Sequence, residues 1–234
     1  MIFMFDVDGT LTPSRGRMNK DFSLWFGSFC HEHNVYLVTG SDRPKTIEQI
    51  GEYLYSKCES VYQCSGNDLW KGDTNIRSND WVLPDLARRF LEKCLVDSDF
   101  SIRTGNHIEQ RSGMVNFSVV GRNANLEERA AYVRSEEQVS EREYIARKFN
   151  DAFSDLEATV GGDTGIDISA RGMSKKQVLT DFDKDAIIHF YGDKTFPGGN
   201  DHEIAMEVRA RGNEAVQVDD WRHTWKLLKE KCKE

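Results

Sequence analysis

The stretch MIFMFDVDGT, residues 1–10, decides how the rest of the chain reads. Ile2 to Phe5 form a short apolar run of the kind buried on both faces of a sheet, and Asp6, Val7, Asp8 and Gly9 follow at once. In extended geometry the Asp6 and Asp8 carboxylates project from one side and Val7 from the other, into the core. Gly9 then lets the backbone turn sharply. In an open parallel sheet, ligands gather at the carboxyl ends of the strands, which is where both acids fall. Two carboxylates about 5 Å apart repel by roughly 3 kcal/mol at an effective dielectric of ~20, so the pair calls for a cation or a shared proton. Oxygen ligands without His or Cys suit Mg²⁺ better than zinc. Taken alone, the same four residues read equally well as a simple turn.

Working outward, apolar runs alternate with amphipathic stretches. Met18, Phe22, Trp25, Phe26 and Phe29 recur at helical spacing, Val35 to Val38 read as a strand, and Ile47, Ile50 and Leu54 read as another helix. The rhythm returns late, with a strand over Ile187 to Tyr191, a helix over His202 to Arg211, a strand over Ala215 to Val218 and a helix over Trp221 to Lys231. Such alternation predicts a parallel sheet covered by helices on both faces. The middle differs. After the polar stretch Lys71 to Asp80 come a helix from Pro84 to Leu95 and a hairpin of His107 to Arg111 and Met114 to Val120 around a Ser-Gly turn. A segment inserted into one α/β domain is expected, with the core at residues 1–80 and 173–234 and the insert at 81–172. The charge-rich Glu127 to Lys148 reads as one solvated helix.

Composition narrows the class. The 234 residues carry a net charge of −8, with 38% hydrophobic and 30% charged residues, which excludes a disordered chain and argues against a nucleic-acid or anionic-membrane coat. No run approaches a membrane span, and a carboxylate at position 6 interrupts any signal peptide, so a cytoplasmic protein is expected. The five cysteines are scattered without a C-x-x-C pair and read as reduced thiols.

The late strand strengthens the reading of the first ten residues. It runs into Gly192-Asp193-Lys194-Thr195, and its loop closes with Gly198-Gly199-Asn200-Asp201 before a helix. Strands from opposite ends of a chain can lie side by side, which would bring Asp193 to the same cation as Asp6. Val35 to Val38 end in Thr39-Gly40-Ser41, a hydroxyl and backbone N–H groups before a helix, as a phosphate cradle requires. Lys175, just after Gly172, could set a cation against the same phosphate. Singly, a Thr-Gly-Ser is usually a helix cap and a lysine usually surface.

Asp-x-Asp-Gly-Thr, a hydroxyl after the second strand, a lysine and a late Gly-Asp, in this order, resemble the haloacid dehalogenase (HAD) superfamily. The strings FDVDGTLTPSR, GSD, QRSGMVNFSVVGR, EER and YGDKTFPGGNDHEI are similar to those of the eukaryotic-type phosphomannomutase family through nearly the whole chain. The resemblance implies an α/β Rossmannoid parallel-sheet core with an inserted α+β cap that closes over the substrate. It implies Asp6 as nucleophile, Asp8 as general acid/base, and Mg²⁺ held by Asp6, the Asp8 carbonyl and Asp193, with Asp201 ordering the surroundings. Lys175 and a hydroxyl of Thr39 or Ser41 would bind the transferring phosphate, and Arg15 would stand at the entrance. The family departs from this chain at two places, having a serine at Gly165 and Asp-Lys at Ser174-Lys175.

The core residues suit a mutase or a phosphatase alike. A hexose phosphomutase passes through a bisphosphate and needs a second cationic pocket. Alternation over Met114 to Arg122 would put Val115, Phe117 and Val119 on one face and Asn116, Ser118, Val120 and Arg122 on the other, mainly polar one. Asn125 to Glu128 have capping-box spacing, which leaves Arg129 in the first turns of a helix, where the dipole disfavours a cation unless an anion is near. Arg111 ends the facing strand and can converge with both, and arginine's fork suits phosphate. Each arginine alone could equally be a surface residue paired with a glutamate. Asp167 matches an acidic position of the family that contacts substrate. The expectation is a phosphohexomutase for mannose 6-phosphate and mannose 1-phosphate, with the glucose pair as a second candidate, a hexose 1,6-bisphosphate activator and a homodimer through the cap. The alternatives are a sugar phosphatase of the same superfamily and a non-catalytic sugar-phosphate sensor.

Overall fold

In chain order the computed structural model, which describes residues 1–232, forms β1 (Ile2–Phe5), α1 (Lys20–Glu32), β2 (Asn34–Val38), α2 (Arg43–Ile50), α3 (Glu52–Lys57), β3 (Ser60–Gln63), β4 (Asp68–Lys71) and β5 (Thr74–Ser78). Then come α4 (Asp85–Asp97), β6 (Ile108–Arg111), β7 (Met114–Phe117), α5 (Leu126–Val139), α6 (Glu141–Ala152), β8 (Leu156–Gly161) and β9 (Gly165–Ala170). A 3₁₀ turn at Lys175–Asp181 leads to β10 (Ile188–Gly192), α7 (His202–Ala210), β11 (Glu214–Gln217) and α8 (Trp221–Lys231). The chain divides into two compact units, Met1–Ser78 with the chain from Ser174 on, and Asn79–Met173.

The first unit is built on a seven-stranded sheet ordered β11-β10-β1-β2-β3-β4-β5. Its first five strands are mutually parallel, and β1 lies between β10 and β2 with Phe5 opposite Tyr191 and Leu37. The two extremities of the chain therefore meet at the centre of one sheet. Both faces of β1 are buried, as an unbroken apolar run requires. Phe3 and Phe5 pack with Phe22, Phe26 and Phe29 of α1 and Leu228 of α8. Met4 packs with Phe190 and with Ile204, Ala205 and Val208 of α7 on the opposite side. Burying one such phenylalanine stabilises the fold by roughly 1.5–3 kcal/mol. Caps set the helix starts. Asn19 accepts from the backbone N–H of Asp21 and Phe22 at 3.0 and 3.1 Å, and Asp42 accepts from that of Lys45 at 3.1 Å.

Two expectations for this unit are corrected. The polar stretch Lys71 to Asp80 contains a strand, β5, which pairs antiparallel with β4 and makes the sheet mixed. All five of its residues are exposed, so no alternation marks it in the sequence. The Ile47 to Leu54 helix is two helices, because Gly51 at φ 83° ends α2 and starts α3.

The second unit is a four-stranded antiparallel sheet ordered β6-β7-β9-β8 with helices on one face. Val115, Phe117, Ala158, Ile166 and Ile168 pack with Leu91 of α4, Tyr132 of α5 and Phe149 of α6. Here too the structure corrects the sequence. Glu127 to Lys148 is not one solvated helix: Ser140, at φ 48°, separates α5 from α6, and Tyr132, Glu136, Ile145 and Ala146 are buried. Charged neighbours hid the narrow apolar stripe. The alternation expected through Val120 stops at Phe117, where β7 ends, and Val119 and Val120 are both buried. Val120 thus belongs to the core, and Arg122 comes off a turn at Gly121 rather than off a strand.

Candidate active site

At the carboxyl end of β1 and β10 three acids converge. Asp6, Asp193 and Asp201 can each offer a carboxylate oxygen such that all three atoms lie within 4.8 Å of one another. Asp6 follows β1, Asp193 follows β10, and Asp201 precedes α7, so the parallel pairing of β1 with β10 creates the cluster. Gly9 permits the close approach: at φ +79° it turns the chain, and a Cβ there would stand 2.4 Å from Asp193 Oδ2. Lys175 is buried among the acids, its Nζ donating to Asp6 Oδ1 at 2.5 Å and to Asp201 Oδ1 at 2.7 Å. Burial pushes the Asp6 carboxyl well above the usual range, Lys175 opposes this, and Asp201 and Asp193 add to it. Burial and then Asp201 push Asp193 up to about 6. The two carboxylates outweigh burial at Lys175 and hold its ammonium charged. One lysine among three crowded carboxylates leaves an excess of negative charge lined only by oxygen donors, which fits a hard divalent cation.

Asp8 stands apart from that cluster, which corrects the expected Asp6–Asp8 repulsion. The chain leaves strand geometry after Phe5, so the two side chains go to different partners. Asp8 Oδ1 accepts from the Arg15 backbone N–H at 2.6 Å and from Gln49 Nε2 at 2.8 Å, and Oδ2 accepts from Ser41 Oγ at 3.3 Å. Arg15 is in the left-handed region at φ 55°, and its carbonyl accepts from Lys45 Nζ at 3.3 Å. The buried Thr39 accepts from the Ser41 backbone N–H at 3.1 Å. The end of β2 therefore supports Asp8 through Ser41.

The second unit gathers the remaining candidates on β6, β7 and β9 and around the start of α5. Glu109, Asn116 and Asp167 are register neighbours across β6, β7 and β9. Asn116 Nδ2 donates to Asp167 Oδ1 at 2.6 Å. Arg111 and Arg122 both donate to Glu109 Oε2, Nε of each at 3.0 and 2.9 Å. Burial opposes the charge on Glu109, yet the two guanidiniums hold its carboxyl below the usual range. Arg129 donates to the Arg122 and Ala124 carbonyls at 2.9 Å each and to Thr164 Oγ1 at 2.7 Å. The Asn125–Glu128 capping box is formed. The expected need of Arg129 for a nearby anion is thus met in part by carbonyls that precede the helix. Burial, and then Arg122, lower the Arg129 pKa, as expected of cations brought together.

Several residues of these sites escaped the sequence reading. Gln49, Glu109, Asn116 as a partner of Asp167, and Thr164 each owe their place to pairing across elements. Only Asn116 carried a signal, its polar position in an apolar alternation. Gly165 adjoins this group: a Cβ there would stand 2.7 Å from Asn116 Nδ2, so a larger residue would push the amide off Asp167.

Solved structures share this fold. A HAD subclass IIB sugar phosphatase matches with a TM-score of 0.61 at 15% identity, over 99% of this chain and 98% of that one. The IMP-nucleotidase of Plasmodium falciparum in its IMP-bound form matches at 0.63 and 17%, over 100% of this chain and 68% of that one. The fold is therefore that of the HAD superfamily. Sequence relatives carry the classification further. The phosphomannomutase of Encephalitozoon cuniculi is 31% identical over 230 residues, covering 94% of this chain and 90% of that protein. Phosphomannomutase 1 of Mus musculus is 32% identical over 233 residues, covering 94% and 88%. The family model for eukaryotic phosphomannomutase matches residues 27–231, and the chain belongs to that family.

Proposed function

We propose that the protein interconverts mannose 6-phosphate and mannose 1-phosphate through an aspartyl-phosphate and a hexose 1,6-bisphosphate. The observation that carries this is a pair of separate charge clusters, Lys175 among acids in the first unit and Arg111 with Arg122 on Glu109 in the second, which this reading assigns to the two phosphates of a bisphosphate. Family membership supports it, since the relatives are named phosphomannomutases. A bisphosphorylated hexose carries two dianions, whereas a phosphatase needs only the first seat.

In this reading Asp6 attacks phosphorus, the bond from phosphorus to the sugar oxygen breaks, and Asp8 gives that oxygen its proton. In the return step a hydroxyl of the other sugar phosphate loses its proton to Asp8 and takes the phosphoryl group, and Asp6 is regenerated. Lys175 fixes the rotation of the Asp6 carboxylate and sets positive charge beside the transferring oxygens. Because Ser41 Oγ is committed to Asp8, the Thr39 hydroxyl is the better donor to the phosphoryl group. Arg15 and Gln49 hold Asp8 in place through its Oδ1. The acid cluster fits Mg²⁺, with Asp6, Asp193 and the Asp8 carbonyl as ligands and Asp201 behind them; when bound, the ion neutralises charge on the phosphoryl oxygens. Arg111, Arg122 and Arg129 take the phosphate that is not reacting, and Asn116 and Asp167 take sugar hydroxyls. A homodimer through the second unit belongs to the same reading, supported by the exposed apolar Leu86 and Val96 of α4.

The test is product analysis with α-mannose 1-phosphate, Mg²⁺ and catalytic hexose 1,6-bisphosphate. Mannose 6-phosphate is expected. Inorganic phosphate without any 6-phosphate overturns the mutase reading in favour of a phosphatase.

A further inference from the structure

We propose that Glu109 is a resident substitute for the ligand's phosphate, holding the arginine fork until a sugar phosphate displaces it. The inference rests on the mutase reading and adds a residue that reading does not use.

Three N–H groups from Arg111 and Arg122 converge on one oxygen, Glu109 Oε2. The guanidiniums are largely enclosed, with side-chain exposures of 11% and 14%, while the Glu109 side chain is 33% exposed. The anion is therefore the member of the trio that water and ligands reach. Its strand, β6, is the edge of the sheet, and its register partner Asn116 keeps a buried Oδ1 with no partner among the described residues. The row Glu109, Asn116, Asp167 thus combines an anion already in a cationic fork with an acceptor that a sugar hydroxyl could fill.

The exchange has a physical rationale. Two largely buried guanidiniums repel and remain costly to desolvate unless an anion faces them. A phosphate dianion offers more charge and more oxygens to the fork than one carboxylate oxygen does, so it wins the competition. The net affinity is then the difference between the two anions, not the full strength of an empty fork. A mutase must let go of this phosphate in every cycle so that the bisphosphate can present its other end. A carboxylate that closes on the arginines as the phosphate leaves lowers the barrier to that release, and affinity changes of this kind fall mainly on the off-rate.

The test is Glu109→Gln in the full chain, which keeps the volume and removes the charge. Mannose 6-phosphate binding, measured by calorimetry without the bisphosphate activator, should tighten about tenfold, or 1.4 kcal/mol. In steady state KM and kcat should fall together. Without ligand the variant should melt below the wild type, and inorganic phosphate should raise its Tm more than the wild type's. Unchanged or weaker binding overturns the proposal and leaves Glu109 as a residue that only orients the arginines. Should that variant not fold, Glu109→Asp, with its carboxylate withdrawn by one methylene, decides in the same way through a smaller gain. If the wild type yields no mannose 6-phosphate from the 1-phosphate, the mutase reading fails while the binding comparison still judges Glu109.

Discussion

The acid end of β1 and the arginine face of the second sheet are both charge clusters, but they are balanced differently. Around Asp6 the counter-charge is Lys175, whose side chain is only 1% exposed. Around Arg111 and Arg122 it is Glu109, one-third exposed. A permanent, buried counter-ion suits a site whose geometry must persist through covalent chemistry. A reachable one suits a site whose partner comes and goes. On the proposed reading, where the chain places its compensating charge is what distinguishes a reacting seat from a holding seat.

The sharpest way to break this comparison is to remove one group from each side. Asp6→Ala should abolish phosphoryl transfer, a loss of ~10³-fold or more in kcat, with a native circular-dichroism spectrum. Arg122→Ala should instead raise KM for mannose 6-phosphate by about 10–100-fold and spare hydrolysis of a small phosphate monoester that lacks a second phosphate. Equal losses on both substrates would show that the two seats do not divide the work. Next in size is Lys175→Met, which leaves Asp6 and Asp201 buried without their cation. Urea unfolding should report a loss of about 3–5 kcal/mol in the absence of Mg²⁺. A loss below 1 kcal/mol would show that the buried lysine is not what holds the acids together.

The smallest expected effect concerns pH. Asp193 is raised from 3.8 to about 6 in the folded chain, so the folded state binds the proton more tightly than the unfolded state. Its contribution is fully present below about pH 4 and is lost as the pH rises through 6. Without divalent cation, Tm should therefore fall by a few degrees between pH 5 and pH 7, and Mg²⁺ should restore it at pH 7. A Tm that is flat over this window with and without Mg²⁺ would remove the crowding of acids from the account.

Much of the first seat was legible because its signals are local. An apolar run ending in Asp6 and another ending next to Asp193 announce strand ends without any tertiary knowledge, Lys175 stands out just after Gly172, and the late family string adds Asp201. The arginines were legible as residues but not as a group with Glu109, since a glutamate in a chain of 39 acids carries no mark. The breaks at Gly51 and Ser140 were both hidden: the apolar repeat of Ile47, Ile50 and Leu54 runs across the first, a charge-rich stretch surrounds the second, and a serine in the left-handed region carries even less signature than a glycine does. Strand β5 was hidden because hydrogen bonding to β4, not burial, makes it a strand.

What the amino-acid order determined by itself is the periodic pattern, an α/β frame with an insert, and the types of charged group at the strand ends. These follow from side-chain periods of 2 and 3.6 residues, which any reader of the chain can count. Only the tertiary structure decided which charges meet. It set Asp8 on Gln49 and Ser41 instead of against Asp6, put Asp201 and Lys175 into the Asp6 cluster, and closed Arg111 and Arg122 on Glu109. The reason is physical: charge interactions fall off within a few ångströms in a screened medium, so they depend on register and close approach, which sequence separation does not encode.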